Sequence, residues 1–179
     1  ATGATSFAIG GNTVLYAVFA PNENTVTFHG PSSNTTQTVL TDASTALTAN
    51  AFTRAGFTFQ GWDTNAAGTT VVYRDGASIT LTGNVDLYAV WAVTQIVVSF
   101  NSNGGAGTQA PQTVDYGVNT ALNANSFTRT GFTFAGWSLT AGGSVAYTDG
   151  SQQSFTTATT LYAIWTANTV VVTFHGPSS

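Results

Sequence analysis

Residues 52–62 read FTRAGFTFQGW, and residues 127–137 read FTRTGFTFAGW. From the second phenylalanine onward, both strings alternate apolar and polar residues, which is typical of a β-strand with one buried face. The residues predicted to face a core in the two copies are Phe57, Phe59, Trp62, Phe132, Phe134 and Trp137. Each half of the chain is therefore predicted to contain one strand whose aromatic side chains form the centre of a small hydrophobic core.

The two strings belong to a longer repeat. Residues 37–62 align with residues 112–137 without gaps, and 17 of the 26 positions are identical. The sequence LYAVW at residues 87–91 returns as LYAIW at residues 161–165. Self-similarity at a fixed period is the signature of a tandem repeat protein, and the period here is about 73 residues.

This period divides the chain into four segments. Residues 1–23 are predicted to be the C-terminal part of a preceding repeat, residues 24–95 repeat one, residues 96–167 repeat two, and residues 168–179 the first strand of a following repeat. The string VTFHGPSS supports the last assignment, because it begins at Val26 and again at Val172. We expect the segment to come from a longer array of alternating units.

The spacing between the two copies is not constant. Phe28 and Phe100 are 72 residues apart, whereas Phe52 and Phe127 are 75 apart. Repeat two therefore has three extra residues between its first two apolar segments. Insertions are tolerated in loops better than in strands, so this stretch is predicted to be a loop.

Within each repeat the pattern predicts mostly strands. Apolar and polar residues alternate at residues 25–29, and residues 85–91 form the last predicted strand, with Leu87, Ala89 and Trp91 on one face. The sequence TAL-x-AN at residues 45–50 and 120–125 is the one place with room for a short helical turn, and it is too short for an amphipathic helix. The fold class is therefore predicted to be mainly β, α+β at most, with little or no helix.

These motifs resemble a known family. The string FTRxGFTFxGW, the later Tyr-x-Asp-Gly at residues 73–76 and 147–150, and the closing LYAxW are similar to the Listeria–Bacteroides repeat, which is also the B-repeat of internalin-type surface proteins. The resemblance covers nearly all of both complete units. It implies small β-grasp-like domains strung in tandem on secreted or wall-anchored bacterial proteins. The chain departs from typical members in lacking Lys and in the HGPSS form of its first turn.

The composition excludes several classes of function. Charged residues are 6% of the chain, against roughly 25% in an average soluble domain, and the formal net charge is -4. Nucleic acid is not an expected partner, because neutralising phosphates needs clustered Lys and Arg. No cofactor is expected, since a chain without Cys or Lys has neither thiolate ligands nor a Schiff-base amine. No apolar run approaches the ~20 residues of a membrane span, so no membrane insertion is expected in this segment.

The sequence shows no convergent set of ionisable groups, which catalysis requires. His29 and His175 occupy one repeat position, where repeat two has Asn101. A catalytic or metal-binding histidine replaced by asparagine in the sister unit is not expected, and a turn role is the simpler interpretation. The loop after Asn101 offers only neutral ligands for Ca²⁺. No catalytic residue, no metal ligand and no enzymatic activity is therefore predicted.

Two kinds of charged residue correspond between the repeats and are predicted to be structural. Asp75 and Asp149 stand in Asp-Gly turns, where Gly supplies positive φ. Arg54 and Arg129 lie among aromatic residues, where each guanidinium either stacks on a ring and hydrogen-bonds loop carbonyls or contacts an anion or another ligand. The structural interpretation predicts that Arg129→Ala costs about 1–3 kcal/mol of stability.

The four tryptophans also have two interpretations. Trp62, Trp137, Trp91 and Trp165 are predicted to lie in the core, because a unit of this size without metal or disulfide needs dense apolar burial. The alternative is an exposed Trp–Tyr platform that stacks on sugar rings.

Two classes of function compete. The first is an extracellular structural repeat protein, a stalk or fibre-forming segment of a bacterial cell-surface protein that acts by tandem stacking and by lateral β contacts with other copies of itself. Two features favour it: uncharged strand edges repel weakly, and only four residues separate Trp91 from Ile96. The second is an adhesin module that binds carbohydrate or a host protein through exposed aromatic residues.

Overall fold

The computed structural model describes residues 10–12, 14 and 16–176, which form twelve strands and no helix. The strands of repeat one are β1 (Glu23–His29), β2 (Asn34–Leu40), β3 (Thr45–Ala46), β4 (Phe57–Asp63), β5 (Ser78–Ile79) and β6 (Val85–Val93). The strands of repeat two are β7 (Gln95–Asn101), β8 (Gln112–Asp115), β9 (Thr120–Ala121), β10 (Phe132–Ser138), β11 (Gln152–Gln153) and β12 (Thr159–Ala167). The predicted fold class, mainly β in tandem small repeats, is confirmed.

Each repeat is built on a four-stranded mixed sheet. The strand order is β2-β1-β6-β4 in repeat one and β8-β7-β12-β10 in repeat two. The first and last strands of a repeat are parallel neighbours at the centre, with Phe28 opposite Leu87 and Phe100 opposite Leu161. The outer pairs are antiparallel. Each sheet therefore has a central parallel pair flanked by two antiparallel edge strands.

The short helical turn for which the sequence has room does not form. Thr45 and Ala46 form β3, which pairs with β5, and β9 pairs with β11 in the same way. The next residue in each repeat, Leu47 or Leu122, is 3% exposed and enters the core. Residues 45–46 and 120–121 are extended because each pairs with a strand that is distant in sequence. Local helix propensity contains no information about that partner.

Each repeat has its own core. The buried apolar residues of repeat one are Val26, Phe28, Val39, Leu47, Trp62, Ile79 and Leu87. Those of repeat two are Ile96, Val98, Val114, Leu122, Phe127, Trp137, Phe155, Leu161 and Ala163. The largest fully buried side chains are Trp62 and Trp137, so each core is centred on a tryptophan.

A β-bulge in β4 and β10 brings two aromatic residues to the same face of the sheet. The register shifts between Phe59 and Gly61, and again between Phe134 and Gly136. Side chains alternate along a regular strand, so without the extra residue Phe59 and Trp62 would point to opposite faces. The bulge returns Trp62 to the core side, with its ring centroid 5.0 Å from that of Phe59.

The predictions for the two ends of the chain lie partly outside the described residues. Residues 168–176, predicted to begin the first strand of a following repeat, are exposed and form no strand. In repeat one the corresponding strand, β1, pairs with β2 and β6. The prediction for residues 1–23 falls partly on residues 1–9, 13 and 15, which lie outside the described residues.

Candidate functional site

Three phenylalanine rings surround each of the two core tryptophans. They are Phe28, Phe52 and Phe59 around Trp62, and Phe100, Phe127 and Phe134 around Trp137. The contacts are tilted or edge-to-face, with centroid distances from 4.8 Å to 6.3 Å, as aromatic quadrupoles favour. Neither indole N–H has an acceptor among the described residues. The two tryptophans therefore stabilise the cores through ring volume and not through their polar atom.

Trp91 and Trp165 do not lie where the sequence places them. Both are half-buried and lie at the margin of the core, with Trp165 packed against the core cluster of repeat two. Their rings pack edge-on against Phe59 and Phe134, at centroid distances of 5.5 and 5.6 Å. Each tryptophan lies opposite its phenylalanine in the sheet register, beyond the bulge that turns Trp62 and Trp137 inward.

Phe57 and Phe132 also lie outside the core clusters, and each carries an arginine on its ring. The Cζ atom of Arg54 is 3.8 Å from the ring centroid of Phe57, and that of Arg129 is 4.0 Å from the ring centroid of Phe132. In the described part of the chain, neither guanidinium donates a hydrogen bond to a loop carbonyl, so the predicted carbonyl bonds are wrong. The predicted stacking of arginine on an aromatic ring is present in both repeats.

Because the carbonyl bonds are missing, we expect Arg129→Ala to lower the free energy of unfolding by only about 0.5–1 kcal/mol, the size of an exposed cation–π contact. Urea unfolding of the variant and the wild type measures this difference. Arg74→Ala is the matched control, since Arg74 is exposed and stacks on no ring among the described residues. A loss above about 2 kcal/mol for Arg129→Ala would mean that the guanidinium has partners that stacking does not supply.

The Asp-Gly turns also hold the neighbouring segment. The carboxylate of Asp75 accepts a hydrogen bond from the backbone N–H of Asn50 at 2.8 Å. The side chain of Asn50 in turn accepts from the N–H of Phe52 and donates to its carbonyl. The same bonds are made in repeat two by Asp149, Asn125 and Phe127. These networks fix the segment that delivers a phenylalanine to the core, and the matched asparagines were a signal that the sequence analysis overlooked.

A matched glutamine covers part of one sheet edge. Gln37 lies on the edge strand β2, and its amide donates to the carbonyl of Ala46 at 2.8 Å and accepts from the N–H of Thr48 at 2.9 Å. Gln112 makes the same pair of bonds in repeat two. In each repeat the glutamine side chain thus bonds backbone groups that a neighbouring strand would otherwise bond. This role explains why both copies have glutamine at this position.

Asp63 has no counterpart in repeat two, where Ser138 stands at the same place, and the sequence pattern gives it no role. Its side chain is buried at 4% exposure. The carboxylate accepts backbone hydrogen bonds from Asn65 at 3.0 Å, from Thr70 at 2.9 Å and from Thr69 at 3.1 Å. These bonds, with that from Asn65 the strongest influence, lower the pKa of Asp63 below its ordinary value. The carboxylate therefore organises the loop after β4 in repeat one.

The lowered pKa of Asp63 predicts a pH dependence that is specific to repeat one. A depressed folded-state pKa stabilises the fold above the unfolded value near 3.8, and the stabilisation is lost as pH falls through the folded-state pKa. We expect the urea midpoint of Asp63→Asn to fall less than that of the wild type between about pH 7 and about pH 3. Glu23→Gln is the control, because it removes one acid from repeat one at an exposed position, and its urea midpoint should follow that of the wild type. Equal pH dependence for Asp63→Asn and the wild type would contradict the assignment.

His29 lies at the end of β1 and forms a surface pair, which differs from the predicted turn role. Its Nε2 atom is 2.8 Å from Oδ1 of Asp86, and its ring stacks on Tyr88 with a centroid distance of 4.4 Å. Repeat two has Asn101 and Thr160 at the positions of this pair. No group of three or more His, Cys, Asp or Glu residues in the described ranges is placed to hold a metal ion.

The junction between the repeats is the candidate site of interaction. Only Thr94 separates β6 from β7. Its N–H donates to the carbonyl of Gly56 in repeat one at 2.8 Å, and its carbonyl accepts from the N–H of Tyr116 in repeat two at 2.9 Å. The ring of Tyr116 lies against Gly56 so closely that a Cβ there would overlap it. One residue thus bonds both repeats, and a tyrosine from one packs on a bare glycine of the other.

The same bonds recur at the other ends of the repeats. The N–H of Thr41 donates to the carbonyl of Asn22 at 2.8 Å, as Tyr116 does to Thr94. The N–H of Asn168 donates to the carbonyl of Gly131 at 2.9 Å, as Thr94 does to Gly56. Asn22, Thr94 and Asn168 are therefore equivalent positions. Sequence reasoning missed them because the residues that flank these three positions differ and share no motif.

The fold and this junction define a class of protein: a tandem array of small mixed-sheet domains joined strand to strand. The model of the Listeria–Bacteroides repeat domain matches the chain twice, at residues 25–90 and 97–164. The chain belongs to this family, and the resemblance drawn from its motifs is confirmed. The family is typical of bacterial surface proteins.

One relative extends the comparison. The chain is 33% identical over 109 residues to a protein of Evansella cellulosilytica described as a Gly-rich membrane protein. The match covers 56% of this chain and 13% of that protein, so the chain corresponds to a small part of its relative. Within the described residues, no helix has the length and apolar character to cross a membrane.

Proposed function

We propose that this chain is a structural spacer, a stalk or fibre-forming segment of an extracellular bacterial surface protein that acts without an active site. The observation that carries the proposal is the junction at Thr94. Bonds to both neighbours and the contact of Tyr116 with Gly56 leave the two repeats little freedom to rotate. Repeats held in this way add length in a defined direction, which is what a stalk requires.

A pair of matched glycine variants tests the spacer. Gly56 and Gly131 have φ values of +75° and +79°, so alanine strains both backbones alike. Only Gly56 meets Tyr116, whereas nothing lies within 4 Å of a Cβ on Gly131. We expect ¹⁵N relaxation to show wild-type and Gly131→Ala repeats tumbling as one body, with Gly56→Ala repeats tumbling more independently. Independent tumbling of the wild-type repeats would contradict the proposal.

Lateral contacts between copies form the second part of the proposal. The edge strand β2 reads NTTQTVL, carries no charge, and is exposed at most positions, with Leu40 43% exposed. Charged residues are a common device against edge-to-edge pairing, and β2 lacks them. We expect sedimentation velocity to show association at rising concentration, and Thr38→Lys to weaken it. A wild type that stays monomeric at every concentration would contradict the lateral part alone.

A further inference from the structure

The two repeats differ most in the connection after the first strand. Seven residues (30–36) separate His29 from Gln37, and ten residues (102–111) separate Asn101 from Gln112. In repeat one the chain turns at once, with the N–H of Gly30 donating to the carbonyl of Ser33 at 2.9 Å. In repeat two the longer loop folds back over the sheet. This difference in loop length changes the surroundings of the tryptophan near the end of the last strand, Trp91 in repeat one and Trp165 in repeat two.

The longer loop covers Trp165. A Cβ on Gly105 would lie 2.7 Å from Cζ2 of this ring, and the indole N–H donates to the carbonyl of Ser102 at 2.9 Å. Asn103 anchors the loop by donating to the carbonyls of Ala141 and Ala163 at 2.8 and 2.9 Å. Trp165 accordingly packs against the core of repeat two.

The shorter turn makes no hydrogen bond to the indole of Trp91, which is half-buried like Trp165. No acceptor among the described residues takes its indole N–H, and it does not pack against the core cluster of repeat one. It lines a groove of about 380 Å³, at the low end of the range typical of ligand sites. The main lining residues of this groove are His29, Gly30, Pro31, Arg54, Tyr88 and Trp91.

The groove contains a cation without a carboxylate partner. The face of the Arg54 guanidinium stacks on Phe57, but the single ion pair within the described residues joins His29 to Asp86, so no carboxylate neutralises Arg54. Asp86 does not line the groove, and its carboxylate is paired with the imidazole of His29. The groove is therefore lined by a guanidinium and an indole ring whose N–H groups make no hydrogen bond to the described residues. Charges elsewhere on this acidic chain are screened over about 10 Å at 0.1 M salt.

We propose that this groove binds a sugar that carries a carboxylate. A guanidinium matches a planar carboxylate with two parallel hydrogen bonds, which a neutral hydroxymethyl group does not offer. The rings of Trp91 and of the stacked His29–Tyr88 pair offer faces on which the C–H groups of a pyranose ring pack. The depression beside Arg129 in repeat two has a similar volume, about 370 Å³, but no aromatic ring lines it. The site therefore belongs to repeat one alone.

A matched pair of sugars tests the charge requirement. Methyl β-D-glucuronide and methyl β-D-glucoside differ only in a carboxylate in place of a hydroxymethyl group. In ¹H–¹⁵N spectra of the whole chain, we expect the glucuronide to shift the Trp91 indole N–H while the Trp165 indole N–H stays in place. The glucoside should bind at least about tenfold more weakly. Absence of glucuronide binding, or equal binding of both sugars, would overturn the proposal.

Matched variants test the residues. Arg54→Gln is expected to reduce glucuronide affinity at least about tenfold, and Arg129→Gln to leave it unchanged. Replacing residues 30–36 with the sequence of residues 102–111 should cover Trp91 and abolish binding while the spectrum of the fold is retained. Equal effects of Arg54→Gln and Arg129→Gln would overturn the proposal. The proposed spacer function is tested independently, because the Gly56 variant does not alter this groove.

Discussion

Replacing Gly136 with alanine is expected to lower the free energy of unfolding of repeat two by roughly 2–6 kcal/mol, from backbone strain and overpacking together. Gly136 lies in the bulge of β10 with a φ of +145°. An added Cβ would lie 2.7 Å from the carbonyl oxygen of Tyr147 and 2.6 Å from Cγ1 of Val145. The oxygen cannot withdraw freely, because it accepts the N–H of Trp137 at 2.8 Å. A domain of this size has only about 4–11 kcal/mol in total, so the substitution is expected to remove about half of the stability of repeat two and to lower its unfolding temperature markedly.

Differential scanning calorimetry measures this loss, because each repeat has its own core and should give its own transition. Gly142→Ala is the control in the same repeat: nothing lies within 4 Å of its Cβ and its φ is not positive. Its effect should stay within about 0.5 kcal/mol. Gly61→Ala should destabilise repeat one in parallel, since Gly61 has a φ of +148° and faces the carbonyl of Tyr73. A Gly136→Ala protein as stable as the wild type would show that the bulge is dispensable.

Trp137→Ala is expected to destabilise repeat two by about 3–5 kcal/mol, the range for removing a large aromatic side chain from a core. Trp137 is 0% exposed and contacts three phenylalanine rings. Its indole N–H has no acceptor among the described residues, so the loss comes from the cavity and the lost ring contacts. Guanidinium unfolding followed by far-UV circular dichroism gives the free energy of each variant.

Trp165→Ala is the comparison for this prediction. Trp165 is half-buried, and its truncation removes one hydrogen bond to Ser102 and an edge contact with Phe134. We expect a smaller loss than for Trp137→Ala, with repeat one unaffected in both variants. If the two substitutions destabilised repeat two equally, the core would not be centred on Trp137 in the way the geometry indicates.

The repeats, the strands and the family were predictable because local patterns specify them. The alternation in residues 57–62 marks an edge strand of the sheet, and the closing LYAxW marks the strand at its centre. The correspondence of Asp75 with Asp149 pointed to a turn, and both residues also bond the backbone of an asparagine. In each case the signal lies within a few residues, where steric preference and burial act directly.

The errors share one cause, which is dependence on a distant partner. The sequence has room for a helical turn at residues 45–50, but β3 pairs with β5 far along the chain. Alternation predicted that Phe57 faces the core, and the need for dense burial predicted the same for Trp91. In the sheet register both lie before the bulge at Gly61, which turns Trp62 inward instead. A period-two pattern cannot reveal an extra residue that is defined by pairing with another strand.

The amino-acid sequence determined that this chain is a pair of β repeats with tryptophan-centred cores, because repetition and apolar alternation are properties of the chain itself. Only the tertiary structure decided which tryptophans are buried, how Thr94 joins the repeats, and that Trp91 lines a groove beside Arg54 in repeat one. Those outcomes depend on contacts between segments that are far apart in sequence. Such contacts form when distant strands pair in the sheet, and the conformational preferences of single residues do not determine them.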